Sequence, residues 1–185
     1  LARVYDHVEH KFQKGFTLLT LGWSDGYSFV PVGFNMLSSA KKSNRYQEMS
    51  DGIDRRSNGY RARKESLMAK TDAAILMVDR ALNAGIRADY VLMDTWFTTE
   101  PLIMSVLARG LDVIGMVKQL KQRCNYKGRA YTLPELRKFI RFDGAGNIFG
   151  SLCVTTKNGL PVKIVFVRNR NKKSECLYLL STDCC

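Results

Sequence analysis

One apolar run that ends in an acid constrains the fold of this chain more than any other feature. Tyr90-Val91-Leu92-Met93 leads directly into Asp94, and residues 112–118 are a second run typical of a buried strand. The segment between them suits a helix, with Pro101 in its first turn. Strand, helix and strand in this order predict an α/β unit with a parallel pair. Four consecutive apolar residues further predict that the first strand is covered on both faces, in the interior of a sheet.

The segments before this unit predict a hairpin, a basic loop and a helix. Residues 16–21 and 27–37 are strand-like and enclose Asp25-Gly26, a strong hairpin turn signal, so Asp25 is expected to serve the turn geometry. Residues 38–64 are the most polar part of the chain and carry many Lys and Arg. That loop suits either a DNA backbone or solvent, and its composition favours neither. An apolar stripe from Lys64 to about Ala84 predicts a helix.

The second half of the chain predicts mostly antiparallel β structure. Strand-like runs cover residues 148–156, 161–168 and 176–181, and Asn158-Gly159 suits a hairpin turn between the first two. A short hairpin is expected near residues 126–131, followed by a small helix near 133–139.

Charge and cysteine content narrow the class of protein. The 185 residues carry 29 Lys and Arg against 17 Asp and Glu, a net charge of +12, which favours a polyanionic partner such as nucleic acid. Five cysteines form no C-x-x-C pair and there are only two histidines, so no zinc site is expected. The cysteines are expected to be reduced thiols, with Cys153 and Cys176 buried. No apolar run approaches the roughly 20 residues that span a bilayer.

Asp94 is the main candidate for chemistry. Open α/β sheets place their ligands at the carboxyl ends of parallel strands, which is where this acid is predicted to lie. A carboxylate there can bind Mg²⁺, which prefers hard oxygen ligands and keeps several waters. The alternative is that Asp94 caps the following helix or pairs with a Lys.

The residues Asp94-Thr95-Trp96-Phe97 resemble the catalytic motif of insertion-sequence-4-like transposases. Further segments resemble the same family in the same order, and together they cover nearly the whole chain: Tyr5-Asp6-His7-Val8 and residues 14–26, 29–32, 110–118, 126–131, 167–170 and 181–183.

The resemblance implies an α/β fold: a ribonuclease-H-like mixed sheet with flanking helices that holds an Asp-Asp-Glu triad. Asp94 matches the second Asp. The first Asp and its strand, and the Glu on a later helix, are expected to lie outside this chain, which is interpreted as a fragment. Residues 1–118 would then be a partial catalytic core that includes the basic loop 38–64. Residues 119–185 would be a β-rich insertion subdomain.

The resemblance also implies an activity. Two Mg²⁺ or Mn²⁺ ions held by the triad would support cleavage and strand transfer at the ends of an insertion sequence. The partners would be double-stranded DNA, at the element ends and at the target, and a second copy of the protein. The location would be the bacterial cytoplasm, at the nucleoid. With one triad acid, the fragment by itself is expected not to cleave DNA.

Basic residues in two regions are the candidate DNA contacts, and Tyr126, Tyr131 and Phe139 lie among those of the second region. Glu135 lies near the position of a family signature acid but two residues late, and is expected to be a surface acid of a small helix. Trp23 and Trp96 are expected in the core, with Trp96 near the floor of the site. The candidate contacts are Lys41, Lys42, Arg55, Arg56, Lys118, Lys121, Arg123, Lys127 and Arg129.

Two other functions fit the same sequence. One is a different nuclease that shares the ribonuclease-H-like core. The other is a non-catalytic DNA-binding remnant of a transposase. The acids encoded around this segment would separate the three.

Overall fold

The computed structural model describes residues 1–118, 123–141, 146–172 and 175–184. The chain forms two compact units, Leu1–Arg87 and Ala88–Cys185. The first unit contains two β-hairpins and two helices, and the described residues of the second unit form a mixed sheet with two helices.

Two antiparallel hairpins begin the first unit: β1 (Ala2–Asp6) with β2 (Lys11–Gly15), and β3 (Thr17–Ser24) with β4 (Phe29–Leu37). The second hairpin confirms the sequence prediction. Asp25 accepts hydrogen bonds from the amides of Ser28 (2.7 Å) and Tyr27 (2.9 Å). These bonds, Ser28 first, lower the pKa of the Asp25 carboxyl, so this acid does serve the turn. The β1–β2 hairpin was not predicted.

Two helices replace the single predicted one and shorten the predicted loop. A 3₁₀ turn covers Lys42–Asn44, α1 covers Asn58–Glu65 and α2 covers Lys70–Asn83. The Ser57 side chain caps α1 by accepting the Tyr60 amide at 3.1 Å. The prediction that residues 38–64 are all loop was therefore wrong, because a Ser N-cap begins a helix inside the polar segment.

Helix α2 packs on one face of the β3–β4 hairpin. Ala73, Met77 and Val78 of this helix are buried, as is Leu37 of β4. Arg80 of α2 forms a two-pronged ion pair with Glu65 of α1, and this hydrogen-bonded partner lowers the pKa of the Glu65 carboxyl. The opposite face of the hairpin exposes the apolar side chains of Leu18, Phe34 and Met36.

The second unit is built on one mixed sheet. Its described strands run in the order β5-β6-β11-β10-β9-β7-β8, and helix α3 packs on β6 while helix α4 packs on β8. The bounds are β5 Tyr90–Met93, α3 Glu100–Leu107, β6 Asp112–Val117, β7 Arg123–Tyr126, β8 Arg129–Thr132, α4 Leu133–Arg137, β9 Ile148–Thr155, β10 Pro161–Arg168 and β11 Cys176–Ser181.

The predicted strand–helix–strand unit is confirmed, but the predicted burial of its first strand is wrong. Strands β5 and β6 are parallel, with Tyr90 opposite Asp112 and Met93 opposite Gly115. In the described part of the sheet β5 pairs with β6 alone and lies at the end of the strand order. Because one face of β5 is uncovered, Leu92 is 75% exposed despite its place in an apolar run.

Strand β11 joins the predicted core to the predicted insertion in a single sheet. It pairs antiparallel with β6, from Tyr178 opposite Val117 to Ser181 opposite Ile114. The proposed boundary at 118 and 119 therefore falls inside this sheet, whereas the compact units divide after Arg87. The boundary falls inside the sheet because β11, β10 and β9 continue the hydrogen-bonded sheet from β6 and bury side chains on the same face. The assignment of 119–185 as an insertion stays a prediction.

Strand β10 lies at the centre of the sheet and supplies much of its core. Its alternate residues Val162, Ile164 and Phe166 are each at most 1% exposed. The antiparallel hairpin of β9 and β10 confirms the predicted Asn158-Gly159 turn. The expected burial of Cys153 was wrong, because that residue faces outward on β9 and is exposed.

Candidate metal-binding site and basic surfaces

Asp94 lies directly after the last residue of β5, at the carboxyl end of the parallel pair. A turn over residues 94–98 connects the strand to α3, whose N-cap position is Thr99. The position predicted from the sequence is therefore confirmed. The Asp94 side chain is exposed to solvent.

Backbone hydrogen bonds fix the orientation of the Asp94 side chain. Its Oδ1 accepts the amide of Trp96 at 2.8 Å and that of Phe97 at 3.2 Å. The carbonyl oxygen of Asp94 accepts both the hydroxyl (2.6 Å) and the amide (3.1 Å) of Thr98. Among the described residues, Oδ2 has no hydrogen-bond or ion-pair partner, so one oxygen shapes the turn and the other is open to a cation.

A glycine in the neighbouring strand makes room for this turn. The Cβ of any larger residue at Gly115 would lie 2.4 Å from Oγ1 of Thr98 and 2.7 Å from its Cγ2. Contacts under 3.0 Å force atoms to move, so Gly115 allows Thr98 to reach the Asp94 carbonyl. This supporting contact was not predicted, since it joins two residues on neighbouring elements.

Trp96 departs from the sequence prediction. It is 51% exposed rather than part of the core, and its ring meets that of Phe97 edge-on at 4.8 Å. The turn that holds Asp94 carries Trp96 outward at the second position after the acid. Trp23 is half-buried and donates its ring N–H to the carbonyl of Arg87 at 2.9 Å, which is a structural contact.

The donor set around Asp94 fits one ligand of a divalent ion. A carboxylate oxygen without a hydrogen-bond partner suits Mg²⁺ or Mn²⁺, which bind through one or two carboxylates and retain waters. Across the described ranges no group of three His, Cys, Asp or Glu side chains lies close enough to hold a metal ion. The described residues therefore offer a single carboxylate, that of Asp94, and form no complete metal site by themselves.

Glu135 lies on the small helix, as predicted, but it is half-buried and has a structural role that was not predicted. Its Oε2 accepts the Thr132 amide at 2.7 Å and the Thr132 hydroxyl at 2.9 Å, and its own amide donates back to that hydroxyl at 3.4 Å. This reciprocal arrangement is a capping box at the start of α4. The backbone bond from Thr132 lowers the pKa of the Glu135 carboxyl, so the acid is committed to the helix end.

The candidate DNA-contact residues lie in both units. In the first unit Lys41, Lys42, Arg55 and Arg56 are all exposed. Lys41 and Lys42 lie at the 3₁₀ turn, whereas the two arginines lie just before α1. Arg45, between these pairs, binds Glu48 at 3.0 Å and so is not a free cation.

In the second unit Lys118, Arg123, Lys127 and Arg129 are exposed, whereas Lys121 lies outside the described residues. The Arg123 guanidinium donates to the Ala130 carbonyl at 3.2 Å, and a second acceptor, Glu135, is 3.9 Å away. Lys127 and Arg129 flank Gly128 at the β7–β8 turn, where they face solvent.

Aromatic rings accompany these cations. Phe139 contacts Tyr126 and Tyr131, with ring centroids 5.3 and 5.2 Å away, and is itself 47% exposed. Arg137 and Arg168 both lie over the ring of Phe149, at 4.5 and 5.6 Å from its centroid. Sequence reasoning missed this second group, because its members come from α4, β9 and β10.

Comparison with known proteins assigns a family. A family model described as DDE superfamily endonuclease matches residues 1–122, well over half of the chain, so the chain belongs to this family. No curated protein matches the chain, and neither does any solved structure.

Family membership supports a transposase-like or nuclease function with DNA as the substrate. Nucleases of the DDE superfamily generally depend on divalent metal. The mixed α/β architecture with a largely antiparallel sheet is consistent with a DDE nuclease domain. No helix in the described ranges is long and apolar enough to cross a membrane.

The contact between Gly115 and Thr98 generates a prediction about the Asp94 turn. Gly115→Ala is expected to lower the free energy of unfolding by about 1–3 kcal/mol, because the added methyl overpacks the turn. It should also shift the amide NMR signals of Trp96 and Phe97. Urea unfolding and ¹H–¹⁵N spectra measure the two effects.

Gly33→Ala in β4 is the matched control, because the Cβ added there would meet only the Met77 side chain at an ordinary 3.7 Å. If both variants unfold alike and the two amide signals stay in place, then Gly115 does not support the turn.

Proposed function

We propose that this protein is the transposase of an insertion sequence, similar to the insertion-sequence-4 group, which cleaves and joins DNA by metal-dependent phosphoryl transfer. The observation that carries the proposal is the Asp94 carboxylate at the carboxyl end of β5. One of its oxygens is bound by the Trp96 and Phe97 amides and the other has no partner among the described residues.

The chain's own contribution at this site is to hold a carboxylate ready. The two hydrogen bonds from backbone amides restrict rotation of the Asp94 side chain. The hydrogen bonds from Thr98 fix the backbone that carries this side chain. A bound Mg²⁺ or Mn²⁺ would supply Lewis-acid activation of the phosphate and of the attacking oxygen. Because the carboxylate is already ordered, metal binding would not carry the entropic cost of ordering it, which increases metal affinity.

We further propose that Asp94 is the second acid of an Asp-Asp-Glu triad whose other members lie outside the described residues. The family match and the resemblance of the segment from Asp94 to Phe97 support this assignment. Two ions would be shared by the complete triad, since one carboxylate cannot hold both.

The fold proposed for the catalytic core is ribonuclease-H-like, with its first strand outside this chain. Support comes from β5, which pairs on one side only in the described part of the sheet and leaves backbone groups of its other edge unpaired. An open edge of this kind accepts a further strand. Residues 119–185 are proposed as an insertion into that core, and the end of the family match at residue 122 supports a boundary near there.

The exposed cations of both units are proposed to bind the phosphates of double-stranded DNA, at the element ends and at the target. The net charge of +12 supports this proposal, because each neutralised phosphate releases condensed counterions. Assembly on paired ends would involve a homodimer, and the site of action would be the nucleoid in the bacterial cytoplasm. The residues proposed for contact are Lys41, Lys42, Arg55, Arg56, Lys118, Lys121, Arg123, Lys127 and Arg129.

A cleavage assay tests the proposed reaction. The protein as its gene encodes it, incubated with Mg²⁺ or Mn²⁺ and DNA that contains the flanks of that gene, is expected to nick the DNA. Asp94→Asn should lower the rate at least about 100-fold, since even outer partners of metal ligands account for 10–100-fold. Asp89→Asn, an exposed acid at the other end of β5, should stay near the original rate. Cleavage that survives Asp94→Asn would refute the assignment, and no cleavage by the original protein would favour a DNA-binding remnant.

The salt dependence of DNA binding tests the proposed contacts. For duplex DNA the slope of log K against log salt should become less steep by about 0.9 in Lys127→Gln and in Arg129→Gln, because each removes one phosphate contact. Lys157→Gln removes the same charge from the β9–β10 turn and should leave the slope unchanged. Equal slopes in all three variants would contradict a role for the β7–β8 turn.

A further inference from the structure

The β1–β2 hairpin presents a surface that the proposed function does not use. Pairing places Arg3 opposite Lys14 and Tyr5 opposite Phe12. Directly paired residues, and residues two apart on one strand, share a face of a hairpin, so these four side chains lie together. All four are exposed, with Tyr5 at 43% and Phe12 at 57%.

Cations and aromatic rings alternate along this surface. The Arg3 guanidinium lies 4.4 Å from the centroid of the Phe12 ring, and the Tyr5 ring meets that of Phe12 edge-on at 5.2 Å. His7 extends the row at one end, 5.1 Å from Tyr5. We call the side chains of Arg3, Tyr5, His7, Phe12, Lys14 and Tyr46 the aromatic–cationic face.

Tyr46 belongs to this face at its other end. Its ring lies 5.2 Å from the Lys14 ammonium, and its amide donates to the Leu1 carbonyl at 3.0 Å. Tyr46 is 57% exposed, so the row of rings and cations is open to solvent along its length.

The acids of this hairpin are directed elsewhere. Asp6 pairs with Lys11, on the other face, and accepts the Val8 and Glu9 amides and the Gln13 side chain at 2.8–3.2 Å. Glu9 binds Lys11 at 3.1 Å. The aromatic–cationic face therefore contains cations and rings without a carboxylate, which complements a polyanion.

We propose that the aromatic–cationic face binds single-stranded DNA, with bases stacked on Tyr5 and Phe12 and phosphates bound by Arg3 and Lys14. Alternating cations and exposed rings are the combination that unpaired nucleic acid requires, since every base has a face that stacks. A duplex keeps its bases stacked on one another and could use only the cations. The inference rests on the proposed function, in which DNA is the substrate and its strands are cleaved at element ends.

Fluorescence anisotropy with a labelled oligonucleotide, used single-stranded and as the corresponding duplex, tests the proposal on the 185-residue chain. Removal of each ring should weaken single-strand binding at least about fivefold, so Tyr5→Ala/Phe12→Ala should weaken it about 25-fold or more. Duplex binding should change much less. Tyr27→Ala is the control, because Tyr27 is a fully exposed ring at the β3–β4 turn of the same unit.

Phe12→Trp tests whether weaker binding by the double variant comes from unfolding of the β1–β2 hairpin rather than from loss of the rings. This variant retains an aromatic ring at position 12, so its affinity for single-stranded DNA should be unchanged. The new tryptophan adds its own fluorescence to that of Trp23 and Trp96, and this added fluorescence should be quenched when single-stranded DNA binds. Equal losses for single strand and duplex in the double variant, or unchanged single-strand affinity, would overturn the proposal. If the unsubstituted chain binds neither form of DNA, then the proposed function fails together with this inference.

Discussion

Two backbone hydrogen bonds to one oxygen of Asp94 hold the site together. They come from the amides of Trp96 and Phe97, and they close the turn between β5 and α3. The hydroxyl of Thr98 also stabilises this turn by donating a hydrogen bond to the Asp94 carbonyl. The Thr98 side chain has room to do so because β6 has glycine at position 115. The direction of the second carboxylate oxygen thus follows from packing within the parallel unit. The role of Asp94 in the turn and its proposed role in metal binding are compatible, because each uses a different oxygen.

Local signals in the sequence predicted the elements well. The turns at Asp25-Gly26 and Asn158-Gly159 fix their hairpins through residues that are neighbours in the chain, and the parallel pair of β5 and β6 follows from the connection between them. The place of β11 beside β6 could not be predicted, since it depends on pairing over long sequence separation. The exposure of Leu92 is of the same kind, because it depends on which strands flank β5.

The position of the candidate site in the fold could be predicted from the sequence, but the contacts and solvent exposure of the residues around it could not. An acid after an apolar strand marks the carboxyl end of that strand, whereas the exposure of Trp96 and the clearance at Gly115 depend on the path of the turn. The aromatic–cationic face shows the same limit. Arg3, Tyr5, Phe12 and Lys14 are separated in sequence and become one surface only through the register of β1 and β2. The net charge of the chain predicted a polyanionic partner, and the register of β1 and β2 predicts which residues contact it.

Anomalous diffraction from crystals of the protein grown with Mn²⁺ and DNA tests the central claim most directly. The account predicts an anomalous peak about 2.1 Å from Oδ2 of Asp94, the distance for a hard divalent ion, with Oδ1 still bound by the Trp96 and Phe97 amides. A Mn²⁺ ion bound at other acids, with both oxygens of Asp94 held in contacts within the protein, would contradict it.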